Sequence, residues 1–316
     1  MNITILGCGA YGTALACMFN ENNCNIKMWN KFDNVFNDLS KEFPNISFTT
    51  DLEKAIKKSE LIVIAIPVAF LEEVSINLKK YYKNQDILIA SKGISINDSL
   101  LASQIITKHI NVKNIGAISG GTFAVDMKAK KVMGITLGTT SESIKTKVKK
   151  ALENKYLKIQ YSSDLIGVEI CGAIKNVMAI GFGILDGAQY PESSRFLFLT
   201  EAIYEIDKLI KKLGGSNKTI MSYAGIDDIM MTCTSEKSRN YSLGKLIGSK
   251  EDKEKIEEYK NNTTVEGLGT ALAINNLCKK LNIKLDICHI IFNILYNNYD
   301  SINLIKYLEE KESYTI

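Results

Sequence analysis

Histidine is nearly absent. The 316 residues contain only His109 and His289, and neither stands in a suggestive polar cluster. That scarcity disfavours hydrolases and dehydrogenases that depend on a histidine base. Seven cysteines occur, Cys8, Cys17, Cys24, Cys171, Cys233, Cys278 and Cys288, but none as a CxxC pair. An odd number without that spacing argues against a disulfide framework and for reduced thiols in a cytoplasmic protein. HExxH, EF-hand and CxxC patterns are all missing, so no catalytic metal is expected. Proline is scarce at three residues, beside abundant Lys, Asn and Ile; this bias carries no mechanism. The chain opens directly into Met1-Asn2-Ile3-Thr4-Ile5-Leu6, a strand, so no signal peptide is expected. No apolar run is read as reaching the roughly 20 residues of a membrane span. A formal charge of +4 is too small to argue for nucleic acid, although it permits an anionic small molecule.

What is present fits a folded globular chain. With 46% hydrophobic and 23% charged residues over 316 positions, the composition is globular, and the length exceeds one ordinary core. The first half alternates short apolar runs (3–6, 26–29, 61–66, 87–91, 115–119, 132–137 and 156–161) with helical stretches such as 12–20, 52–58 and 144–153. Several runs are rich in Ile and Val without period-two alternation, which predicts strands covered on both faces. The expected fold class is α/β: a Rossmann-like, doubly wound, mostly parallel sheet, then an all-helical C-terminal part. Expected boundaries are 1–162 for the dinucleotide-binding domain and 163–316 for the helical substrate domain. In the second half, 166–186 is apolar nearly all round, and 195–213 is amphipathic and stops at Gly214-Gly215. Further helices are expected over 253–260, 268–281, 289–299 and 301–311.

Gly7-Cys8-Gly9-Ala10-Tyr11-Gly12 follows the first strand and opens a helix. This is G-x-G-x-x-G in the context that binds a dinucleotide: Gly7 for the tight turn, Gly9 for close approach of a pyrophosphate, Gly12 for helix–strand packing. The second strand ends Trp29-Asn30-Lys31, without the acid that commonly holds a ribose 2′-hydroxyl. Lys31 either tilts the site from NAD towards NADP or is a solvated surface lysine.

Ligands of open α/β sheets bind beyond the carboxyl ends of the strands. Those ends present Lys92-Gly93 and Gly120-Gly121-Thr122. Lys92 reads either as an anion ligand or as an ordinary loop lysine, and the second glycine loop as a phosphate or cofactor-amide site or as a plain turn. Lys175 interrupts the apolar 166–186 stretch, with Asn176 beside it. Lysines are rarely buried unless paired. Lys175 therefore either snorkels to solvent or is an acid–base group for a carbonyl–alcohol couple. Asp228 and Thr232 share a helical face, and Asp228 is a candidate partner for Lys175. Arg239 and Asn240 offer a donor fork suited to phosphate, or else Arg239 lies on the surface.

Taken together, Gly7–Gly12, Ser91-Lys92-Gly93, Ser119–Ala124, Gly172–Val177, Ala224–Thr234, Ser238-Arg239-Asn240 and Val265-Glu266-Gly267 stand in the order found in bacterial NAD(P)-dependent glycerol-3-phosphate dehydrogenases, and nearly the whole chain resembles that family. The resemblance implies interconversion of dihydroxyacetone phosphate and sn-glycerol 3-phosphate for phospholipid synthesis, with NADP or NAD. It implies Lys175 as the proton donor and acceptor, with Lys92, Asp228, Asn176 and Thr232 completing the site. It assigns Gly120, Thr122, Ser238, Arg239 and Asn240 to the substrate. It assigns Ala10, Tyr11, Lys31, Lys92, Ala124, Arg239, Thr264 and Glu266 to the cofactor. A homodimer is expected from the apolar helical half.

Departures from the family pattern are Gly121 for a proline, Asp126 for a glutamate, Asp227 for a glycine, Glu201 for an arginine, and a shortened segment after Trp29. Each is a point at which cofactor or substrate grip can loosen; none removes a catalytic side chain, so activity, at most reduced, is expected. Other readings are a reductase of the same architecture, acting on β-hydroxyacids or ketopantoate, a non-catalytic NAD(P)-binding regulator, and a scaffold. The Ser-Arg-Asn block weighs against the other reductases, and intact Lys175, Asp228 and Arg239 against the scaffold; NAD(P)H oxidation with dihydroxyacetone phosphate separates the regulator.

Overall fold

The computed structural model describes residues 1–314; the last two residues of the expected helical domain lie outside them. Eight strands form one sheet: β1 (Asn2–Leu6), β2 (Asn25–Trp29), β3 (Ser47–Thr49), β4 (Leu61–Ile64), β5 (Asp86–Ile89), β6 (Ile115–Ser119), β7 (Met133–Gly138) and β8 (Leu157–Ser162). Their order is β3-β2-β1-β4-β5-β6-β7-β8. Every neighbouring pair is parallel except β6–β7, which is antiparallel. The helices between strands are α1 (Ala10–Glu21), α2 (Phe36–Glu42), α3 (Leu52–Ile56), α4 (Leu71–Lys79), α5 (Ala102–His109), α6 (Ala124–Lys128) and α7 (Glu142–Leu152).

β4 and β5 are buried along their whole length, as unalternated Ile, Val and Leu runs require. Ile62 and Ile64 pack into one hydrophobic cluster and Leu61 and Val63 into the other, because successive side chains leave opposite faces of a strand. β3 went unread in the sequence. It is three residues long, sits at the sheet edge and is not fully buried, so it is too short for any periodicity to register.

After Ser162 the described chain is helical: α8 (Leu165–Gly187), α9 (Glu192–Lys212), α10 (Asp228–Thr234), α11 (Arg239–Gly248), α12 (Lys253–Asn262), α13 (Glu266–Leu281), α14 (Asp286–Tyr296) and α15 (Asn303–Glu310). The expectation that no apolar run has membrane-spanning length needs correction: α8 is long and apolar enough, but its apolar window is 89% buried inside the protein. It packs on β6, β7, α9, α10, α11 and α13, so its hydrophobicity serves the core. The cluster around it is continuous with the sheet face carrying Ile62 and Ile64.

Glycines let α8 and α11 cross with their backbones touching. A Cβ added at Gly183 or Gly187 would come within 2.2 Å of an α11 carbonyl, and one at Gly244 or Gly248 within 2.1 Å of an α8 carbonyl. The spacing of four on each helix puts these glycines on one face. α9 ends as expected: Gly214 takes φ +85°, and the Gly215 amide donates to the Ile210 carbonyl at 2.9 Å, closing a Schellman motif.

Glu169 lies inside α8, and its carboxylate accepts from the Ser103 amide at 2.8 Å and the Ser103 hydroxyl at 2.5 Å. Burial pushes its carboxyl up to about 7, with Ser103 pulling the other way. A carboxyl raised in the fold binds its proton more tightly there than in the unfolded chain. It therefore favours folding below about pH 4.5, and this contribution is lost as the pH rises through about 7. Glu169→Gln is accordingly expected to raise the Tm at pH 8 by roughly 2–4 °C and to leave it nearly unchanged at pH 5. Equal shifts at both pH values would contradict this.

Candidate active site

The first turn is shaped by three glycines, two crowded and one open. Gly7 has φ +117°, and a Cβ there would lie 2.4 Å from the Ala65 carbonyl oxygen; one at Gly12 would lie 2.2 Å from the Gly7 carbonyl oxygen. These two glycines are dictated by backbone crowding. Gly9 is the opposite: a Cβ would meet nothing within 4 Å. The space above Gly9 and Ala10, both exposed, opens onto the α1 N-terminus, where unpaired amides face an anion. The residues present therefore fit a pyrophosphate.

The centre of the site is Asp228, fully buried at the start of α10. A π-helical turn, Tyr223–Asp227, with a non-helical Gly225 precedes it and redirects the chain. One carboxylate oxygen of Asp228 accepts from Lys175 and, at 3.3 Å, from the Thr232 hydroxyl. The other accepts from Lys92 at 3.0 Å and from the Ser119 hydroxyl at 3.1 Å. Four donors fill a carboxylate's lone-pair sites. Gly172 makes the convergence possible, because a Cβ there would stand 2.7 Å from the Ser119 hydroxyl oxygen and 3.6 Å from Lys92. The absence of that carbon, one turn before Lys175, lets the ends of β5 and β6 press onto α8.

Lys175 is 6% exposed; it does not snorkel. Its Nζ donates to Asp228 and, at 3.0 Å, to the Thr232 hydroxyl. An ammonium has three N–H groups, so one is uncommitted among the described residues. Burial lowers Lys175 to about 8; Asp228 opposes this, and the charge on Lys92 adds to it. Burial disfavours the Lys92 ammonium too, but the Asp228 carboxylate and Tyr11 outweigh it and hold Lys92 above the ordinary lysine range. Burial alone would raise the Asp228 carboxyl, yet the two ammoniums keep it below the usual carboxylate range. One carboxylate between two lysines carries a net positive charge, and relief comes by losing the Lys175 proton.

Around this centre the two glycine loops meet. Tyr11 places its hydroxyl 3.3 Å from the Thr122 hydroxyl, and the Lys92 ammonium lies 5.6 Å from the Tyr11 ring centroid. Gly120 is buried against β7, where a Cβ would lie 2.3 Å from the Gly134 carbonyl oxygen; Ala124 begins α6. Asn176 donates to Glu266 at 3.2 Å and accepts from Asn240 at 2.9 Å. Asn240 in turn accepts from the Gly267 amide at 2.8 Å.

The joint fork expected of Arg239 and Asn240 is not formed. Adjacent residues on a helix point about 100° apart: Asn240 turns inward to Asn176, while Arg239 is exposed. Ser238 caps α11 by accepting from the Tyr241 amide at 3.3 Å, and Thr264 is exposed beside the α13 N-terminus. Lys31 is engaged by Glu73, at 2.7 and 3.0 Å.

The departures from the family pattern find partners. The Gly121 amide, an N–H that a proline would lack, donates to Asp227 at 3.3 Å. Asp126 pairs with Lys237 at 3.0 Å. Glu201, buried on α9, is paired with Lys311 and accepts from the Tyr314 hydroxyl at 3.0 Å, so it anchors the chain end.

Sequence reasoning missed Ser119, whose hydroxyl touches Asp228, and two exposed phenylalanines near the Lys31–Glu73 pair in sequence. Phe32 and Phe70 are 64% and 56% exposed. Phe32 follows Lys31, and Phe70 precedes Glu73 by about one helical turn. A separate open groove of about 960 Å³ lies beyond α11, lined by Asp186, Tyr241, Lys245 and Tyr259, and does not include Lys175.

Residues 2–145 match the family model described as NAD-dependent glycerol-3-phosphate dehydrogenase N-terminus, and residues 164–306 match its C-terminus. The chain is 31% identical to the glycerol-3-phosphate dehydrogenase (NAD(P)+) of Lactobacillus johnsonii over 94% of each protein, and 29% identical to that of Staphylococcus aureus over 98% of each. Its fold superposes on glycerol-3-phosphate dehydrogenase from Coxiella burnetii with a TM-score of 0.92, at 24% identity, over 98% of this chain and 99% of that one. A ketopantoate reductase from Ralstonia eutropha covers 98% of this chain and 100% of its own, at a TM-score of 0.60 and 10% identity; it shares only the architecture. A glycine cradle, a buried lysine on a shared aspartate and two family models over both halves lead to one conclusion: this chain belongs to the NAD(P)-dependent glycerol-3-phosphate dehydrogenase family.

Proposed function

We propose that this protein interconverts dihydroxyacetone phosphate and sn-glycerol 3-phosphate, with Lys175 delivering and recovering the proton. The observation that carries this reading is the uncommitted N–H of a buried Lys175 whose other two are spent on Asp228 and Thr232. A nicotinamide held by the glycine turn would supply or accept the hydride. Lys175 holds a proton where the substrate oxygen changes between carbonyl and hydroxyl, and Asp228 keeps the amine from turning away. Lys92 stays charged and attracts the developing oxyanion. Asn176, fixed by Glu266 and Asn240, walls the cleft beside Lys175. Arg239, at the exposed start of α11, is the proposed phosphate ligand, with Gly120, Thr122 and Ser238 shaping that end of the site. Asn240 positions Asn176.

Gly7, Gly9, Ala10, Tyr11 and Gly12 would hold the cofactor pyrophosphate, and Lys31, Phe32 and Phe70 its adenosine end. Lys92, Ala124, Arg239, Thr264 and Glu266 would face its other half. We place the functional division near residue 162, and the enzyme in the cytoplasm, where its free thiols stay reduced. Its product feeds glycerophospholipid synthesis. A homodimer is the proposed assembly, tested by sedimentation velocity.

The pH profile tests the proton assignment. Reduction needs the Lys175 ammonium and oxidation needs the free amine. Since Lys175 sits at about 8, kcat/KM for dihydroxyacetone phosphate reduction should fall as the pH rises through that value, and glycerol 3-phosphate oxidation should rise through it. Flat profiles between pH 7 and 9 would count against Lys175. NADH and NADPH oxidation with dihydroxyacetone phosphate tests the reaction itself; cofactor binding without turnover would favour a regulator.

A further inference from the structure

The end of β2 lacks the carboxylate that a ribose 2′-hydroxyl usually finds, and the sequence places a lysine there instead. The fold changes that reading. β1 lies between β2 and β4. Lys31 follows β2, and Glu73 lies in the first turn of α4, the helix after β4. Their ion pair, at 2.7 and 3.0 Å with both carboxylate oxygens engaged, therefore joins the segments that follow β2 and β4, the two strands flanking β1, whose own carboxyl end leads into the Gly7–Gly12 turn. The other acid of that helical turn faces elsewhere, since Glu72 is taken by Lys108 at 2.9 Å and His109 at 3.1 Å.

We infer that Glu73 is a specificity-determining residue for the dinucleotide, supplying from α4 the carboxylate that β2 lacks and withdrawing Lys31 from a 2′-phosphate. The inference rests on the dehydrogenase reading of the glycine cradle. A ribose bearing a free 2′-hydroxyl can donate a hydrogen bond to Glu73 and leave the ion pair intact. A 2′-phosphate brings up to two negative charges next to that carboxylate and must take Lys31 away from it. Both side chains are about half exposed, at 53% and 54%, so each can reach a ligand in the groove, and water screens the repulsion. The effect is thus moderate, with NADH accepted at least as readily as NADPH.

The test uses two fragments that isolate the 2′-phosphate, 5′-AMP and adenosine 2′,5′-bisphosphate, titrated calorimetrically into the wild-type protein, Glu73→Gln, Lys31→Ala and the double variant. The wild type should bind 5′-AMP at least as tightly as the bisphosphate. Glu73→Gln should shift the ratio of affinities about tenfold towards the bisphosphate, equivalent to about 1.4 kcal/mol. The double variant should lose that gain, and 0.5 M salt should shrink it. The ratio of kcat/KM values for NADPH and NADH should move in the same direction. If both fragments bind but their ratio ignores Glu73, the selector role is wrong and the cofactor cradle stands. If neither fragment nor NADH binds the wild type, the cradle reading falls with it.

Discussion

Lys175→Ala is expected to reduce turnover by roughly 10²-fold or more, while NADH binding changes little. Lys175 is the one group in the site whose amine lies near neutrality, at about 8, so no neighbour can replace its proton. Lys92 is held charged by the same carboxylate, and the structure offers no histidine in the cluster. The variant should still fold, because removing Lys175 leaves Asp228 opposed by Lys92 alone at 3.0 Å, a balanced buried pair. Lys175→Met, which keeps most of the buried stem, should behave alike in turnover and lose less stability. Steady-state reduction of dihydroxyacetone phosphate beside a fluorescence titration of NADH checks both halves. Turnover within tenfold of wild type, with the cofactor still bound, would show that another group carries the proton.

Asp228→Asn is expected to act on stability as much as on rate. It strips the carboxylate from beneath two lysines that are 8% and 14% exposed at their side chains. Leaving buried charge uncompensated costs about 3–5 kcal/mol, which for a chain of this size corresponds to a fall in Tm of about 5–8 °C. The lysines escape part of that by losing a proton, so Lys175 should titrate lower and reduction should fail at a lower pH than in the wild type. The double variant Lys175→Met/Asp228→Asn should be more stable than Asp228→Asn alone, since it removes one of the stranded charges. Such non-additivity is what a shared cluster produces and what independent sites do not. Thermal melts of the four proteins decide it; strictly additive losses would mean that the three side chains do not form one electrostatic unit.

Much of this site could be read along the chain. Gly7, Gly9 and Gly12 were legible because a strand, a tight turn and a helix follow one another within a dozen residues. Lys175 stood out because a charge inside 166–186 violates the helix's own hydrophobic pattern. Asp228 and Thr232 were legible as a pair because four residues make about one helical turn. Ser119 was not: its hydroxyl matters only because it lies 3.1 Å from a carboxylate 109 residues away. Arg239 and Asn240 suggest one fork because they are neighbours in sequence, and helical geometry separates them. Glu73 carried no signal at all in its own segment, where it is one of two acids opening a helix. Gly121 and Asp227 were read as two separate losses of grip, yet they touch.

By itself the sequence determined the α/β order, the buried core helix, the glycine turn after β1 and the presence of a lysine that needs a partner. Those features depend on periodicity and side-chain chemistry within one segment, which a chain displays locally. Only the tertiary structure decided which carboxylate Lys175 and Lys92 share, that Gly172 lets them meet, and that Glu73 reaches across β1 to Lys31. These contacts join residues 53, 136 and 42 positions apart, and such distances close only when the sheet order and helix crossings are set by packing of the whole core.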